Sequence, residues 1–252
     1  MDLKNAVALV TGGSGGLGAR ICTALAAEGA DIAVGYRDGR ERAEAVRAEV
    51  EALGRRSAVV RLDQTNPASI EAGIKEAAEV LGGLDLLINN AGMASGGRSL
   101  PVGDLEALTP EIWDELMSVN VRGPFLVARA AAPWLRRSNW GRIVNLGSTI
   151  GHGTWGAAAA YAPSKAAVAP LTRYLAAALA PDVTVNCVAP GLMEGTLMSS
   201  GAAEEFVTSW RERAVLGATT SMEDVAAHVV TFCRSGTVTG QVLVVDGGIH
   251  FD

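Results

Sequence analysis

Between residues 5 and 18 the chain reads Asn-Ala-Val-Ala-Leu-Val-Thr and then Gly-Gly-Ser-Gly-Gly-Leu-Gly, and this stretch narrows the choice of fold most. A largely apolar run ended by glycines is what a strand buried on both faces requires, and such strands belong to parallel sheets covered by helices. The following pattern puts Ile21, Leu25 and Ala26 on one helical face. In a strand, glycine turn and helix met in that order, the glycines let the backbone approach a pyrophosphate. The helix start then supplies unpaired N–H groups. The residues expected to line such a site are Gly12, Ser14, Gly16, Leu17 and Gly18. A sharp structural turn would use the same glycines, so the rest of the chain has to decide.

Strand and helix patterns go on alternating. Strands are expected over Asp31 to Tyr36, Ser57 to Leu62, Leu84 to Ile88, residues 142 to 147, Val183 to Val188 and Gln241 to Val245. Helices are expected over Gly39 to Leu53, Ala68 to Leu81, Thr109 to Leu135, the stretch after Tyr161, and Met222 to Phe232. No linker or fixed-period repeat interrupts them, so residues 1–252 are expected to form a single α/β domain with a doubly wound parallel sheet. In such a sheet ligands bind outside the carboxyl ends of the strands. Asp63, Asn90, Ala91 and Gly92, Pro190 and Gly191 all fall there, whereas Asn89 reads as a residue that ties loops together.

Composition excludes several classes. A net charge of −6 argues against nucleic-acid or anionic-membrane binding. Cys22, Cys187 and Cys233 are odd in number and sit in apolar patterns, as expected of reduced core thiols in a cytoplasmic protein. The three His and three Cys lack metal-ligand spacing, so no metal is expected. The first residues show no apolar signal region, and no apolar run of membrane-spanning length occurs.

The chemistry is carried by Tyr161 and Lys165. Four residues apart on a helix, they lie on one face about 6 Å apart along the axis. A phenol with a pKa near 10 holds its proton tightly, and an adjacent ammonium favours the phenolate. Lys165 is therefore expected to bring Tyr161 toward the working range. Eighteen of the 21 basic residues are Arg, yet this position keeps Lys, whose pKa responds to its surroundings. Ser148, delivered by the fifth strand, could bond a carbonyl oxygen. Asn120 falls in mid-helix, an unfavourable place that a kink with a bound water would explain. Pro170 should kink the helix behind Lys165. Residues 93 to 109 read as a mobile loop at the mouth, and residues 192 to 213, with Met193, Met198, Phe206 and Trp210, as a lid.

The end of the second strand bears on which dinucleotide fits. Asp38 lies at the distance expected of a ribose-binding acid, but Asp38-Gly-Arg-Glu41 has capping-box spacing. Asp38 is therefore assigned to the helix start. Tyr36 supplies no charge, and Arg37, with help from Arg40, is left to pair a 2′-phosphate.

In their order and spacing, Thr11-Gly12-x-x-x-Gly16-x-Gly18, Asp63, Asn89-Asn90-Ala91-Gly92, Asn120, Ser148, Tyr161-x-x-x-Lys165, Pro190-Gly191, Thr239-Gly240-Gln241 and Asp246-Gly247-Gly248 resemble the short-chain dehydrogenase/reductase family. The match runs from Lys4 to Gly248 and is nearest the 3-oxoacyl-carrier-protein reductases and related ketone reductases. The resemblance implies a Rossmann fold, a homotetramer, and a catalytic set of Asn120, Ser148, Tyr161 and Lys165. Tyr161 would be the general acid and Ser148 would orient the carbonyl. Lys165 would hold the nicotinamide ribose, and Asn120 would anchor a relay water. NADPH is the expected cofactor, with NADH the lesser choice, and a small carbonyl compound the expected substrate. The alternatives are an alcohol or sugar dehydrogenase working oxidatively and a non-catalytic cofactor-binding regulator. The sequence departs from the oxoacyl reductases in a longer loop over residues 98 to 108, in Gly195, and in Pro170.

Overall fold

The computed structural model describes residues 2–251 apart from 97, 99, 101–102, 154–158, 197–198 and 201. In chain order the elements begin β1 (Val7–Val10), α1 (Gly16–Ala27), β2 (Asp31–Tyr36), α2 (Arg40–Ala52), β3 (Ser57–Arg61), α3 (Pro67–Leu81) and β4 (Leu86–Asn89). After β4 come α4 (Pro110–Met117), a π-helical turn (Ser118–Arg122), α5 (Gly123–Leu135), β5 (Gly141–Leu146) and a 3₁₀ turn (Thr149–His152). The rest comprises α6 (Tyr161–Ala166), α7 (Val168–Leu179), β6 (Val183–Pro190), α8 (Glu204–Arg213), α9 (Met222–Arg234) and β7 (Val242–Val245).

The seven strands form one parallel sheet in the order β3-β2-β1-β4-β5-β6-β7. Successive side chains of a strand point to opposite faces, and here both faces are apolar. Ala8 and Val10 join a core with α1, α2 and α9, while Val7 and Leu9 join one with α3, α5 and α7. The winding reverses between β1 and β4, and this opens the crevice at their carboxyl ends. Among the described residues no helix is long and apolar enough to cross a membrane.

Missing N–H groups set two features that position the site. The helix expected to run from Thr109 to Leu135 is interrupted at Asn120 by the π-helical turn. Pro124 offers no N–H to the Asn120 carbonyl four residues earlier, so the α pattern cannot continue through it. Pro170 acts in the same way on the Ala166 carbonyl, and the helix divides at Ala167 into α6 and α7. Thr109 caps α4 as expected, accepting from Ile112 N at 3.4 Å.

One polar chain crosses the apolar interior. Asn89 Nδ2 donates to Asn145 Oδ1 at 2.9 Å, and Asn145 Nδ2 donates to Thr172 Oγ1 at 2.9 Å. All three side chains are buried, and they tie β4 to β5 and α7 beneath the crevice. Asn89 thus ties elements together, as its sequence position suggests. Thr172→Val keeps the shape but removes the acceptor for Asn145, so it should cost about 1–3 kcal/mol of stability. Denaturant unfolding should show a lower midpoint with an unchanged slope.

Candidate functional site

The glycine turn after β1 is closed from behind by β4. Thr11 Oγ1 accepts from Asn90 N at 3.0 Å and from Ala91 N at 3.1 Å. Asn90 Nδ2 donates to Thr11 O at 2.9 Å and Gly12 O at 3.2 Å. The Asn90 amide therefore shapes the turn. Gly12 has φ +62°, and a Cβ on Gly18 would stand 2.2 Å from Gly12 O, so no side chain fits. Gly15 precedes α1 without any side-chain cap, which leaves the first N–H groups of the helix to the crevice. A turn packed too tightly for a Cβ, ahead of uncapped N–H groups, fits the pyrophosphate of a dinucleotide.

From this turn a cleft of about 940 Å³ runs along the carboxyl ends of the strands. Its lining includes Gly12, Gly16, Leu17, Gly18, Arg37, Asp63, Asn90, Ala91, Gly92, Ser148, Tyr161, Lys165, Pro190, Gly191 and Met193. Two expected site residues are not in the lining. Ser14 lies in the turn itself, and Asn120 sits just behind Gly92.

At the far end the capping assignment fails. Gly39, in the left-handed region at φ +81°, precedes α2, and no side chain caps that helix. The Asp38 carboxylate instead accepts from Arg37 Nε at 2.6 Å, where both side chains are largely exposed. The glycine takes the cap position itself, so the spacing that suggested a box has no acceptor to fill it. Arg40 turns to Glu44 at 3.4 Å, whereas Arg42, missed in the sequence, lines the cleft and donates to Asp38 O at 3.4 Å. Nearby, Asp63 accepts from Thr65 N at 2.9 Å and Thr65 Oγ1 at 2.7 Å. Although burial opposes it, these bonds hold its carboxyl below the usual range.

At the other end Ser148, Tyr161 and Lys165 converge, all buried. Lys165 Nζ donates to Leu146 O at 3.0 Å, at the end of β5. Lys165 Nζ and Asn120 Oδ1 each lie 3.4 Å from where a Gly92 Cβ would stand. Asn120 Oδ1 accepts from Met93 N at 2.9 Å, and its Nδ2 donates to Met93 O at 2.8 Å and Ser164 Oγ at 3.0 Å. The side chain thus joins the β4 loop to α6, at the break in the helix that is expected at this position.

The electrostatic expectation needs correcting as well. Burial pushes the Tyr161 phenol up to about 12, opposed by its hydrogen bond with Ser148. Burial also brings the Lys165 ammonium down to about 8, opposed by the nearby Cys187. Desolvation disfavours both charged forms and sets the direction of both shifts.

The segment after β6 covers this end. Leu192, Met193 and Phe206 line the cleft, and Trp210 is buried in one cluster with Leu116, Ile150 and Tyr161. Met198 lies outside the described residues. Glu194 pins the segment, accepting from Thr219 Oγ1 at 2.6 Å and Arg211 Nη2 at 2.9 Å.

Two further supports escaped sequence reasoning. Asp246 accepts from Thr149 Oγ1 at 2.6 Å and from the N–H groups of Gly248, Ile249 and His250, which anchors the turn after Ser148. Gln64 Nε2 donates to Val119 O at 2.7 Å and Ala91 O at 3.1 Å, linking the π-helical turn to the β4 loop. Both contacts span sequence separations that no local pattern signals.

A doubly wound sheet with a glycine turn at its switch point and a buried tyrosine and lysine beside it defines a dinucleotide-dependent oxidoreductase. A family model described as Enoyl-(Acyl carrier protein) reductase matches residues 12–250. A Streptomyces violaceoruber chain, named as a ketoacyl reductase of the granaticin polyketide synthase, is 39% identical over 97% of this chain and 96% of its own. The 3-oxoacyl-[acyl-carrier-protein] reductase of Aquifex aeolicus is 34% identical over 99% of both chains. The crystal structure of a short chain dehydrogenase from Burkholderia cenocepacia, in complex with NADP, superposes with a TM-score of 0.89 at 38% identity, covering 99% of both chains. The chain belongs to the short-chain dehydrogenase/reductase family, and within it is an NAD(P)-dependent carbonyl reductase.

Gly18→Ala would force the turn apart, at a cost of about 1–3 kcal/mol. A lower thermal midpoint and weaker dinucleotide binding in a fluorescence titration are expected.

Proposed function

We propose that this enzyme reduces the carbonyl group of a ketone or 3-oxoacyl-type substrate with NADPH, and that Tyr161 is the general acid. The observation that carries the reading is the convergence of buried Ser148, Tyr161 and Lys165 beside Gly92 in the cleft. When bound, NADPH supplies a hydride to the carbonyl carbon. Ser148 and Tyr161 hydroxyls hold the carbonyl oxygen, and Tyr161 delivers the proton that completes the alcohol. A phenol raised to about 12 is protonated throughout the working range and so is loaded as an acid. Lys165, as the cation next to it, stabilises the phenolate left behind and holds the nicotinamide ribose. Asn120 acts through Met93 and Ser164, keeping the β4 loop and α6 in register.

Preference for NADPH over NADH rests on Arg37 and Arg42 at the adenosine end. Both offer guanidinium forks to a 2′-phosphate, against the carboxylates of Asp38 and Asp63 at the same end. We place the enzyme in the cytoplasm as a homotetramer, in keeping with three buried free cysteines and the family resemblance.

Three outcomes follow from these assignments. Tyr161→Phe should retain dinucleotide binding and lose about 10²- to 10⁴-fold in turnover, the scale of a lost general acid; near-normal turnover would refute the mechanism. Lys165 is charged below its pKa of about 8, so kcat/KM for reduction should hold at lower pH and fall as pH rises through that value. A profile that rises there would contradict it. Arg37→Ala should reduce the ratio of kcat/KM for NADPH over NADH by about tenfold or more. A wild type that favours NADH would return Asp38 to the ribose.

A further inference from the structure

The substrate end of the cleft holds one cation that hydride and proton transfer do not use. Among the described lining residues, Arg37, Asp38, Arg42 and Asp63 stand at the adenosine end and Lys165 beside Tyr161, which leaves Arg98. Near it in sequence Met93, Ser95 and Leu100 also line the cleft, as do Leu192, Ser199 and Phe206 of the segment after β6. No carboxylate among the described residues lines that end.

Arg98 is held in place. Gly96 has φ +64°, and a Cβ there would stand 2.6 Å from Arg98 Nη1 and 3.1 Å from Met93 Sδ, so the guanidinium lies against bare backbone beside Met93. Nη1 donates to Ser95 O at 3.3 Å, and Nη2 pairs with Glu115 Oε2 at 2.8 Å. Glu115 sits on α4 and does not line the cleft. A guanidinium has five N–H donors in a planar fork, so two partners orient it without exhausting it. Met93 is in turn fixed by Asn120, which ties this wall to the catalytic end.

We propose that Arg98 determines substrate specificity by receiving a carboxylate borne by the ketone at a distance from its carbonyl. The apolar wall takes the body of such a molecule, and a carboxylate matches the fork of the guanidinium with charge-assisted bonds. The half-exposed pair with Glu115 is of the kind that contributes little by itself, so a second carboxylate can share or replace it. The inference rests on the reading of the cleft as a carbonyl-reductase site and adds the class of substrate.

The test uses a series of keto acids with different spacings between carbonyl and carboxylate, each compared with its methyl ester. In the wild type with NADPH, the best acid should exceed its ester in kcat/KM by about ten- to a hundredfold. Arg98→Met should remove that ratio, chiefly through a higher KM for the acid, and Arg98→Lys should keep part of it. Glu115→Gln, which relieves the guanidinium of its other carboxylate, should raise the ratio. Equal acids and esters across the series, or a ratio that survives Arg98→Met, would overturn the proposal. If neither acids nor esters consume NADPH, the carbonyl-reductase reading fails for these compounds, and calorimetry of the same pairs against the enzyme with NADP⁺ judges Arg98 separately. Tighter acid binding that Arg98→Met abolishes supports the role, and equal binding refutes it.

Discussion

The catalytic end of the cleft depends on the side-chain amide of Asn120. With its oxygen and nitrogen it bonds both backbone groups of Met93, and the same nitrogen reaches Ser164 Oγ. Three elements meet at that amide: the loop after β4, the π-helical turn and α6. Ser164 Oγ also donates to Tyr161 O at 2.7 Å, so the clamp reaches the backbone of the proposed acid itself. The position exists because Pro124 breaks the α pattern, and the Asn120 side chain meets the loop after β4 there. Gln64, bonded to Val119 O and Ala91 O, holds the same turn from the other side.

Upon this frame the electrostatics are set by burial. A phenol and an ammonium placed together in a dry site do not simply exchange favour, because desolvation acts on each before their mutual attraction does. Tyr161 is held as a neutral phenol, and burial brings the Lys165 ammonium down to about 8. In the proposed mechanism the ammonium would favour the phenolate formed in turnover. There Lys165 would act on the product of proton transfer more than on the resting phenol.

Much of this is legible in the chain itself. The doubly buried β1, the glycine turn and the polar residues at strand ends follow from period and composition, and Pro170 divides the helix as its missing N–H requires. Pro124 carries the same signal for the break expected at Asn120. Asp38 misleads because spacing cannot tell whether the next residue, Gly39, takes the cap position in a left-handed conformation. Arg42 and Arg98 carry no local mark that separates a cleft arginine from a solvated one. Asp246 meets Thr149 across 97 residues, beyond the reach of any periodicity.

The central claim is that burial keeps Tyr161 a loaded acid until the reaction calls for its proton. The most direct measurement is an NMR titration of enzyme labelled with ¹³C at the tyrosine ring carbon bearing the hydroxyl, with Tyr161 assigned by comparison with Tyr161→Phe. The Tyr161 signal should stay in the phenol form past about pH 10, where a tyrosine in water ionises, and convert only toward the value of about 12 that burial sets. A Tyr161 signal that converts to phenolate near neutral pH in the enzyme alone would contradict it.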